Sequence, residues 1–110
     1  METSAILKSI NRRIIKNFLD VLVLAELRKG AMSGYDVIVF IHDKFHLLVS
    51  SGTVYSVMYS LERNGLISGA SNNRKRVYRL TAKGEETIKT IMNADDKIRY
   101  LISTLLKAQR

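Results

Sequence analysis

Residues 50–66 read SSGTVYSVMYSLERNGL, and residues 76–81 read RVYRLT. Ser50 or Ser51 can cap the N-terminus of a helix, and Gly65 can end that helix in a left-handed conformation. Apolar residues recur at helical spacing between these points, so one face of the helix is expected to be buried. The members of this face are Val54, Tyr55, Met58 and Leu61. The segment therefore predicts a helix over residues 51–64.

A two-stranded ribbon is predicted directly after this helix. Ile67 begins a short strand, residues 69–73 form a polar turn, and residues 76–80 alternate as a second strand with Tyr78 and Leu80 on one face. Three consecutive cations lie at the tip of the ribbon: Arg74, Lys75 and Arg76. A helix followed by a basic ribbon is typical of a winged helix-turn-helix, with the wing over residues 69–76.

Two further helical regions are expected on the N-terminal side. Apolar residues recur at helical spacing from Ser4 to Lys29, which indicates one long helix or two nearly continuous ones, with Asn17 or Asp20 able to cap the second. Arg28 and Lys29 would occupy the last turn before Gly30. Ser33 can cap the next helix, which is expected to end near residue 44 or 45.

Thr81 is expected to cap a last helix that runs almost to the C-terminus. Its apolar residues fall near heptad a and d positions, although a small domain leaves this helix little core to cover. We therefore expect it to pair with a second copy of the chain. The predicted dimer contacts are Ile88, Ile91, Met92, Ile98, Leu101, Ile102 and Leu105. Asp95 interrupts this row, and either faces water after a register shift or fixes the pairing through a polar contact.

The composition is that of a single globular domain with an excess of positive charge. The 110 residues are 46% hydrophobic and 25% charged, which suits a chain with one core. Eighteen Lys and Arg against ten Asp and Glu give a formal charge of +8 at pH 7. Such an excess favours a polyanionic partner, either a nucleic acid or an anionic membrane surface.

Several other classes of protein are disfavoured. The absence of cysteine excludes disulfides and thiol chemistry. No apolar run approaches the roughly 20 residues of a membrane span, and no signal peptide is visible, so a cytoplasmic location is expected. His42 and His46 have a spacing that can hold a metal, but too few further ligands exist and no metal is expected. No nucleophile is paired with a base and no phosphate loop is present, so we expect neither a cofactor nor catalysis.

DNA binding is the function that this arrangement favours. Small polar side chains on the third helix can approach the major groove, while the second helix and the wing contact phosphate. The expected DNA contacts are Tyr35, Lys44, Ser51, Thr53, Ser56, Tyr59, Ser60, Arg63, Arg74, Lys75 and Arg76. Tyr35 can alternatively be packed against the domain. The alternative function is a protein-interaction module in which Val57 and Tyr59 dock a protein partner.

Five segments resemble the PadR family of transcriptional regulators. They are FLDVLVLA at 18–25, MSGYDV at 32–37, SGTVY at 51–55, LERNGLI at 61–67 and RVYRLTAKG at 76–84. The resemblance implies a dimeric winged-helix protein, in most members a repressor, whose C-terminal helix forms the dimer. A single helix after the wing resembles the short subfamily. The resemblance also implies that Tyr35, Ser51, Thr53, Tyr55 and the wing cations bind DNA or support its binding.

The third helix departs from the family pattern. Ser56, Tyr59 and Ser60 stand where many members carry proline and then arginine, so the resemblance implies no particular operator sequence. The chain also has no tryptophan, an aromatic residue of the drug-binding pore in multidrug-responsive members.

The sequence thus predicts a mainly α (α+β) fold, a winged helix-turn-helix with a long C-terminal dimerisation helix. Residues 1–16 are expected to form a helical arm, residues 17–81 the DNA-binding domain, and residues 82–110 the dimerisation helix. The expected role is that of a homodimeric repressor. Its partners would be double-stranded DNA and a second copy of the chain, without a membrane partner, and the sequence identifies no small-molecule effector.

Overall fold

The computed structural model describes residues 3–107, and within them it contains six helices and one two-stranded antiparallel sheet. The elements are α1 (Thr3–Asn17), α2 (Leu19–Leu27), α3 (Gly34–Phe45), α4 (Ser51–Arg63), β1 (Ile67–Asn72), β2 (Lys75–Leu80), α5 (Ala82–Asn93) and α6 (Asp95–Lys107). This architecture confirms the mainly α winged helix-turn-helix. The first two residues of the expected arm and the last three of the expected dimerisation helix lie outside the described residues.

The core lies where α2, α3 and α4 meet, with the sheet and α5 closing it. α2 contributes a nearly continuous apolar surface, and α3 and α4 each contribute one buried stripe. The fully buried side chains include Leu19, Val23, Val37, Ile41, Val54, Met58, Ile67 and Ile88. Tyr78 in β2 exchanges two backbone hydrogen bonds with Met32, of 2.8 and 3.1 Å, and so joins the sheet to the segment before α3.

Three predicted helix caps are confirmed. The Ser33 hydroxyl accepts a hydrogen bond from the Asp36 N–H, the Ser50 hydroxyl from the Thr53 N–H, and the Thr81 hydroxyl from the Gly84 N–H, each at 3.1 Å. These bonds satisfy N–H groups that a helix leaves free at its first turn. The predicted stop at Gly65 is also confirmed, because this residue has φ of +78°.

The predicted cap of α2 is wrong. The capping position is occupied by Phe18, which makes no side-chain hydrogen bond to the helix, and the Asp20 carboxylate accepts only from the neighbouring Val21 N–H at 2.8 Å. The C-terminus of α2 also comes earlier than expected, at Leu27. Residues 28–30 continue instead as a tighter turn whose N–H groups bond to carbonyls three residues earlier.

The wing has longer strands and a shorter turn than predicted. Asn72 pairs with Lys75, so only Asn73 and Arg74 form the turn. Both have positive φ, 50° and 68° respectively, as a two-residue turn that matches the twist of its strands requires. The expected polar turn over 69–73 is therefore wrong, and the second strand begins one residue earlier than predicted, at Lys75.

The predicted single C-terminal helix is divided at Ala94 into α5 and α6. Two threonine hydroxyls in α5 donate to carbonyls four residues earlier: Thr87 to Lys83 at 2.7 Å and Thr90 to Glu86 at 3.0 Å. Such back-bonding bends helices. Asp95 then faces water and pairs with Arg99, one turn further on, which agrees with the water-facing alternative.

Candidate nucleic-acid interface

α4 presents a hydroxyl-rich face to solvent because its apolar residues are buried on the other side. Val54, Met58 and Leu61 are buried, whereas Ser51, Ser56 and Arg63 are exposed. Thr53 and Ser60 are half-buried, and the Tyr59 side chain is 63% exposed. The helix thus offers small polar groups from its first turn onward.

Some of these polar groups already have partners within the chain. The Thr53 and Ser50 hydroxyl oxygens are 2.8 Å apart, so the hydroxyl of Thr53 is part of the N-terminal cap. The Arg63 guanidinium lies 5.1 Å from the centre of the Tyr59 ring, a cation–π distance. Ser51 and Ser56 are therefore the hydroxyls of α4 best placed to accept new partners.

The N-terminus of α3 is packed closely against α4. A side-chain carbon at Gly34 would overlap the ring of Tyr55, so only glycine permits this approach. The neighbouring Tyr35 is 64% exposed and is not packed against the domain. Tyr55 itself, predicted to be buried, is 45% exposed, although its ring lies close to Gly34.

Ser33 and Asp36 form a reciprocal capping box at the start of α3. The Ser33 N–H donates to the Asp36 carboxylate at 2.9 Å while the Asp36 N–H donates to the Ser33 hydroxyl. The backbone hydrogen bond from Ser33 lowers the pKa of Asp36, and the charge of Lys75 acts in the same direction. The carboxylate is therefore favoured in its ionised form in the folded chain.

This lowered pKa predicts a pH-dependent contribution to stability. Since the pKa of Asp36 is lower in the folded chain than its ordinary 3.8, the carboxylate stabilises the fold above that value and this contribution is lost as the pH falls through the folded pKa. Urea unfolding of the wild-type chain and of Asp36→Asn should give a difference that is constant near neutrality and shrinks below about pH 4. A difference that does not change with pH would contradict the assignment.

The three wing cations differ in their surroundings. Lys75 Nζ lies 3.8 Å from the Asp36 carboxylate, and Arg76 Nη2 donates to the Glu62 carboxylate at 2.7 Å. Arg74 lies in the turn, is exposed, and has no acidic partner among residues 3–107. Of the three, Arg74 therefore has the charge most available to a phosphate.

Tyr35 and Lys44 lie at opposite ends of α3, nine residues apart, which corresponds to about 14 Å along the axis. Asp36 places the Tyr35 end beside the wing through its contact with Lys75. Lys44 lies in the last turn, beside the segment that leads into α4, and is exposed. The two predicted DNA contacts on α3 thus lie at opposite ends of that helix, with Tyr35 at the end near the wing and Lys44 at the end near the start of α4.

Sequence patterns did not reveal Glu62, whose carboxylate joins α4 to the wing. Its only local signal is a position at the edge of the buried face. Gly69 and Arg76 are distant in the sequence and reach Glu62 only in the folded chain.

The two histidines give no metal cluster. Within residues 3–107 no group of three or more His, Cys, Asp or Glu side chains is close enough to hold a metal ion, and no helix there is long and apolar enough to cross a membrane.

The two terminal helices carry a second exposed surface, which is apolar. Neither α1 nor α6 contains a buried residue. The exposed apolar residues are Ile6, Leu7, Ile10 and Ile14 on α1 and Leu101, Ile102, Leu105 and Leu106 on α6. An open groove of about 620 Å³ lies between Phe18, Val21 and the C-terminal helices.

The predicted dimer contacts divide into three sets by their burial. Ile88 is 1% exposed and belongs to the core of its own chain, so it cannot reach a partner and its assignment to the interface is wrong. Ile91 and Ile98 are half-buried. Met92, Leu101, Ile102 and Leu105 are exposed.

The family comparison agrees with the fold. The sequence model of the transcriptional regulator PadR-like family matches residues 23–90. No curated protein matches the chain. The family match covers more than half of the chain and includes α3, α4 and the wing.

Solved structures give the same architecture. A transcriptional regulator from Clostridium thermocellum has 25% sequence identity, covers 84% of this chain and 93% of its own, and gives a TM-score of 0.72. A PadR family transcriptional regulator from Eggerthella lenta has 22% identity over 94% of each chain and a TM-score of 0.73. Bacillus subtilis PadR in complex with operator DNA has 23% identity, covers 67% of this chain and 46% of its own, and gives a TM-score of 0.60. Because the family model matches residues 23–90, more than half of the chain, the chain belongs to the PadR-like family of transcriptional regulators.

Proposed function

We propose that the chain is a homodimeric, sequence-specific DNA-binding regulator that acts as a repressor. α4 enters the major groove, and the wing contacts the flanking backbone. The observation that carries this proposal is a hydroxyl-rich exposed helix face beside a wing whose turn holds a cation, Arg74, without an acidic partner among the described residues. Bacillus subtilis PadR, solved with operator DNA, supports DNA as the partner.

The side chains of α4 and its neighbours divide between base and phosphate contacts. Ser51 and Ser56 are the proposed base contacts because their hydroxyls are exposed on the α4 face. Tyr59, Ser60 and Arg63 extend this face toward the end of the helix, and Thr53 supports it as part of the cap. Tyr35 and Lys44 on α3 and Lys75 on the wing are proposed phosphate contacts. Phosphate contacts set position and affinity, and base contacts set sequence preference.

The dimer is proposed from the exposed apolar surfaces of α1 and α6. Isolated helices of this length are marginal in water, and neither α1 nor α6 contains a fully buried residue, so both need more packing than their own domain supplies. A second copy would cover Met92, Leu101, Ile102 and Leu105, with Ile91 and Ile98 at the edge of the contact. Twofold symmetry would then place two α4 helices in successive major grooves, about 34 Å apart.

Selection of bound sequences from a random pool of duplex DNA tests the proposal directly. We expect enrichment of an inverted repeat whose half-sites have their centres about 10 base pairs apart, one helical turn of DNA. A reporter gene placed behind the selected site should then be expressed less when the chain is present. Failure to enrich any duplex at low salt would reject DNA binding, and increased reporter expression would reject the repressor role alone.

The salt dependence of binding should identify Arg74 as a phosphate contact. If six to eight phosphates are contacted per dimer, log K against log[salt] should have a slope of roughly −5 to −7. Arg74→Gly removes one contact per protomer and should lower the magnitude of that slope by about 1.8. Glycine suits the φ of +68° at this position, so the variant should fold at least as stably as the wild-type chain.

Ser56→Ala is the matched comparison for Arg74→Gly. It should change which sequence is preferred and leave the salt slope unchanged, because a base contact releases no counterion. Filter binding at five or more salt concentrations measures both variants. An unchanged slope for Arg74→Gly would exclude its phosphate contact.

The protein-interaction alternative receives less support from the structure. Val57, one of the two residues that would dock a partner, is half-buried, and the Tyr59 ring is already in contact with Arg63. A gel shift with random duplex DNA separates the two functions, because an interaction module would leave the DNA unshifted.

A further inference from the structure

Glu62 on α4 holds both strands of the wing through a single oxygen atom. Its Oε2 accepts a hydrogen bond of 2.9 Å from the Gly69 N–H in β1 and one of 2.7 Å from Arg76 Nη2 in β2. The Glu62 side chain is 28% exposed, so water competes with these bonds less than at a fully exposed site. The helix that carries the proposed base contacts is thus bonded directly to each strand of the ribbon.

One backbone N–H of the wing, that of Gly69, bonds to this carboxylate. Tyr78, the residue opposite Gly69 in the sheet, uses its own N–H and carbonyl to bond Met32 on its other side. The Gly69 N–H consequently finds its acceptor in Glu62. Hydrogen bonds to a charged acceptor are stronger than neutral ones, so this bond strengthens the attachment of β1 to α4.

The Arg76 side chain is 48% exposed, and its guanidinium has two further neighbours. A side-chain carbon at Gly69 would lie only 2.7 Å from Arg76 Nε, so the absence of a side chain there provides the space for the guanidinium. The Tyr78 ring centre is 5.6 Å from Arg76 Cζ. The hydrogen bond to Glu62 also raises the pKa of Arg76. Four residues, Glu62, Gly69, Arg76 and Tyr78, therefore form one cluster, which we call the wing clamp.

We propose that Glu62 and Arg76 are positioning residues that fix the angle between α4 and the wing, and that Arg76 is not a phosphate ligand. This inference rests on the proposed function. A two-stranded ribbon is marginally stable alone, so its direction must come from contacts with the rest of the domain. To reach a phosphate, Arg76 would have to leave its bond to Glu62. Arg74, two residues earlier, has no such bond to break.

The clamp predicts a change in affinity opposite in sign to that expected from charge alone. Glu62→Gln removes a negative charge, and simple attraction to DNA would then strengthen binding. Loss of the clamp should instead weaken binding roughly tenfold, which is about the value of one hydrogen bond to a charged group. Glu86→Gln, at an exposed position on α5, changes the net charge equally and should not weaken binding.

Arg76→Lys separates positioning from phosphate contact. Lysine keeps the positive charge but lacks the planar fork that meets Glu62 and lies beside Tyr78. We expect binding to weaken roughly tenfold with the salt slope unchanged, whereas Arg74→Gly lowers the slope. Circular dichroism and thermal unfolding of each variant show whether the fold is retained. Full affinity in Arg76→Lys, or in Glu62→Gln relative to Glu86→Gln, would overturn the proposal.

Hydrogen exchange tests the clamp without DNA. In Glu62→Ala the Gly69 amide loses its acceptor and should exchange roughly tenfold faster or more, while the amides of the α2 core keep their protection. If the wild-type chain binds no duplex, the proposed function fails, but this measurement still reports the clamp. Equal protection of the Gly69 amide in the variant and the wild-type chain would show that the wing clamp does not hold β1 in solution.

Discussion

The double variant Leu101→Glu/Leu105→Glu is expected to be a folded monomer that binds DNA about 10²- to 10⁴-fold more weakly than the wild-type chain. The two side chains are 66% and 70% exposed and one helical turn apart, so their replacement leaves the core of each domain intact. In the proposed dimer the same side chains are covered by the second copy. Four carboxylates would then be brought into an apolar contact, where burying unpaired charge is costly.

The loss in DNA affinity follows from the loss of linkage between two half-sites. When one half-site is bound, the dimer presents the second α4 at a high effective concentration, and a monomer does not. Sedimentation velocity measures the oligomeric state, and titration of the selected inverted repeat measures the affinity. The matched control is Thr104→Glu/Lys107→Gln, which changes the net charge of α6 by the same amount at exposed positions outside the apolar row. A dimeric Leu101→Glu/Leu105→Glu variant would reject α6 as the interface.

The features that could be predicted from the sequence are those determined by a few neighbouring residues. The caps at Ser33, Ser50 and Thr81 depend on one side chain and the N–H group three residues later, so their pattern is visible in the sequence. The buried stripe of α4 depends on helical periodicity alone. The order of helices and strands follows from these signals and from the glycine stops.

The features that could not be predicted depend on contacts between distant segments. Ile88 fits the heptad row of the C-terminal helix, but the packing of α5 against α2 and β2 places it in the core. Arg76 looks like its neighbours Arg74 and Lys75 in the sequence, and only the approach of Glu62, 14 positions away, distinguishes it. The division at Ala94 follows two threonines whose hydroxyls bond to carbonyls of the preceding turn, an arrangement that apolar periodicity does not measure.

Gly84→Ala is expected to destabilise the fold by about 3 kcal/mol, although alanine is the better helix former. Gly84 is buried in the first turn of α5, where its N–H donates a hydrogen bond to the capping hydroxyl of Thr81. A side-chain carbon there would overlap the carbonyl oxygen of Leu66 and lie 3.0 Å from a methyl carbon of Leu80. The Leu66 carbonyl also accepts the Thr81 N–H at 3.2 Å, so it cannot move away without breaking that bond.

Gly52→Ala provides the matched control for this prediction. Gly52 also lies in the first turn of a helix, α4, but a side-chain carbon there would meet no atom within 4 Å. Helix propensity and the reduced freedom of the unfolded chain should then stabilise this variant by up to about 1 kcal/mol. Urea unfolding at one fixed protein concentration measures both variants, because a dimer's stability depends on concentration. If Gly84→Ala were as stable as the wild-type chain, α5 would not lie as close to Leu66 as the structure shows. Because Leu66 joins α4 to the wing, the position of the wing relative to α4 would then also be in question.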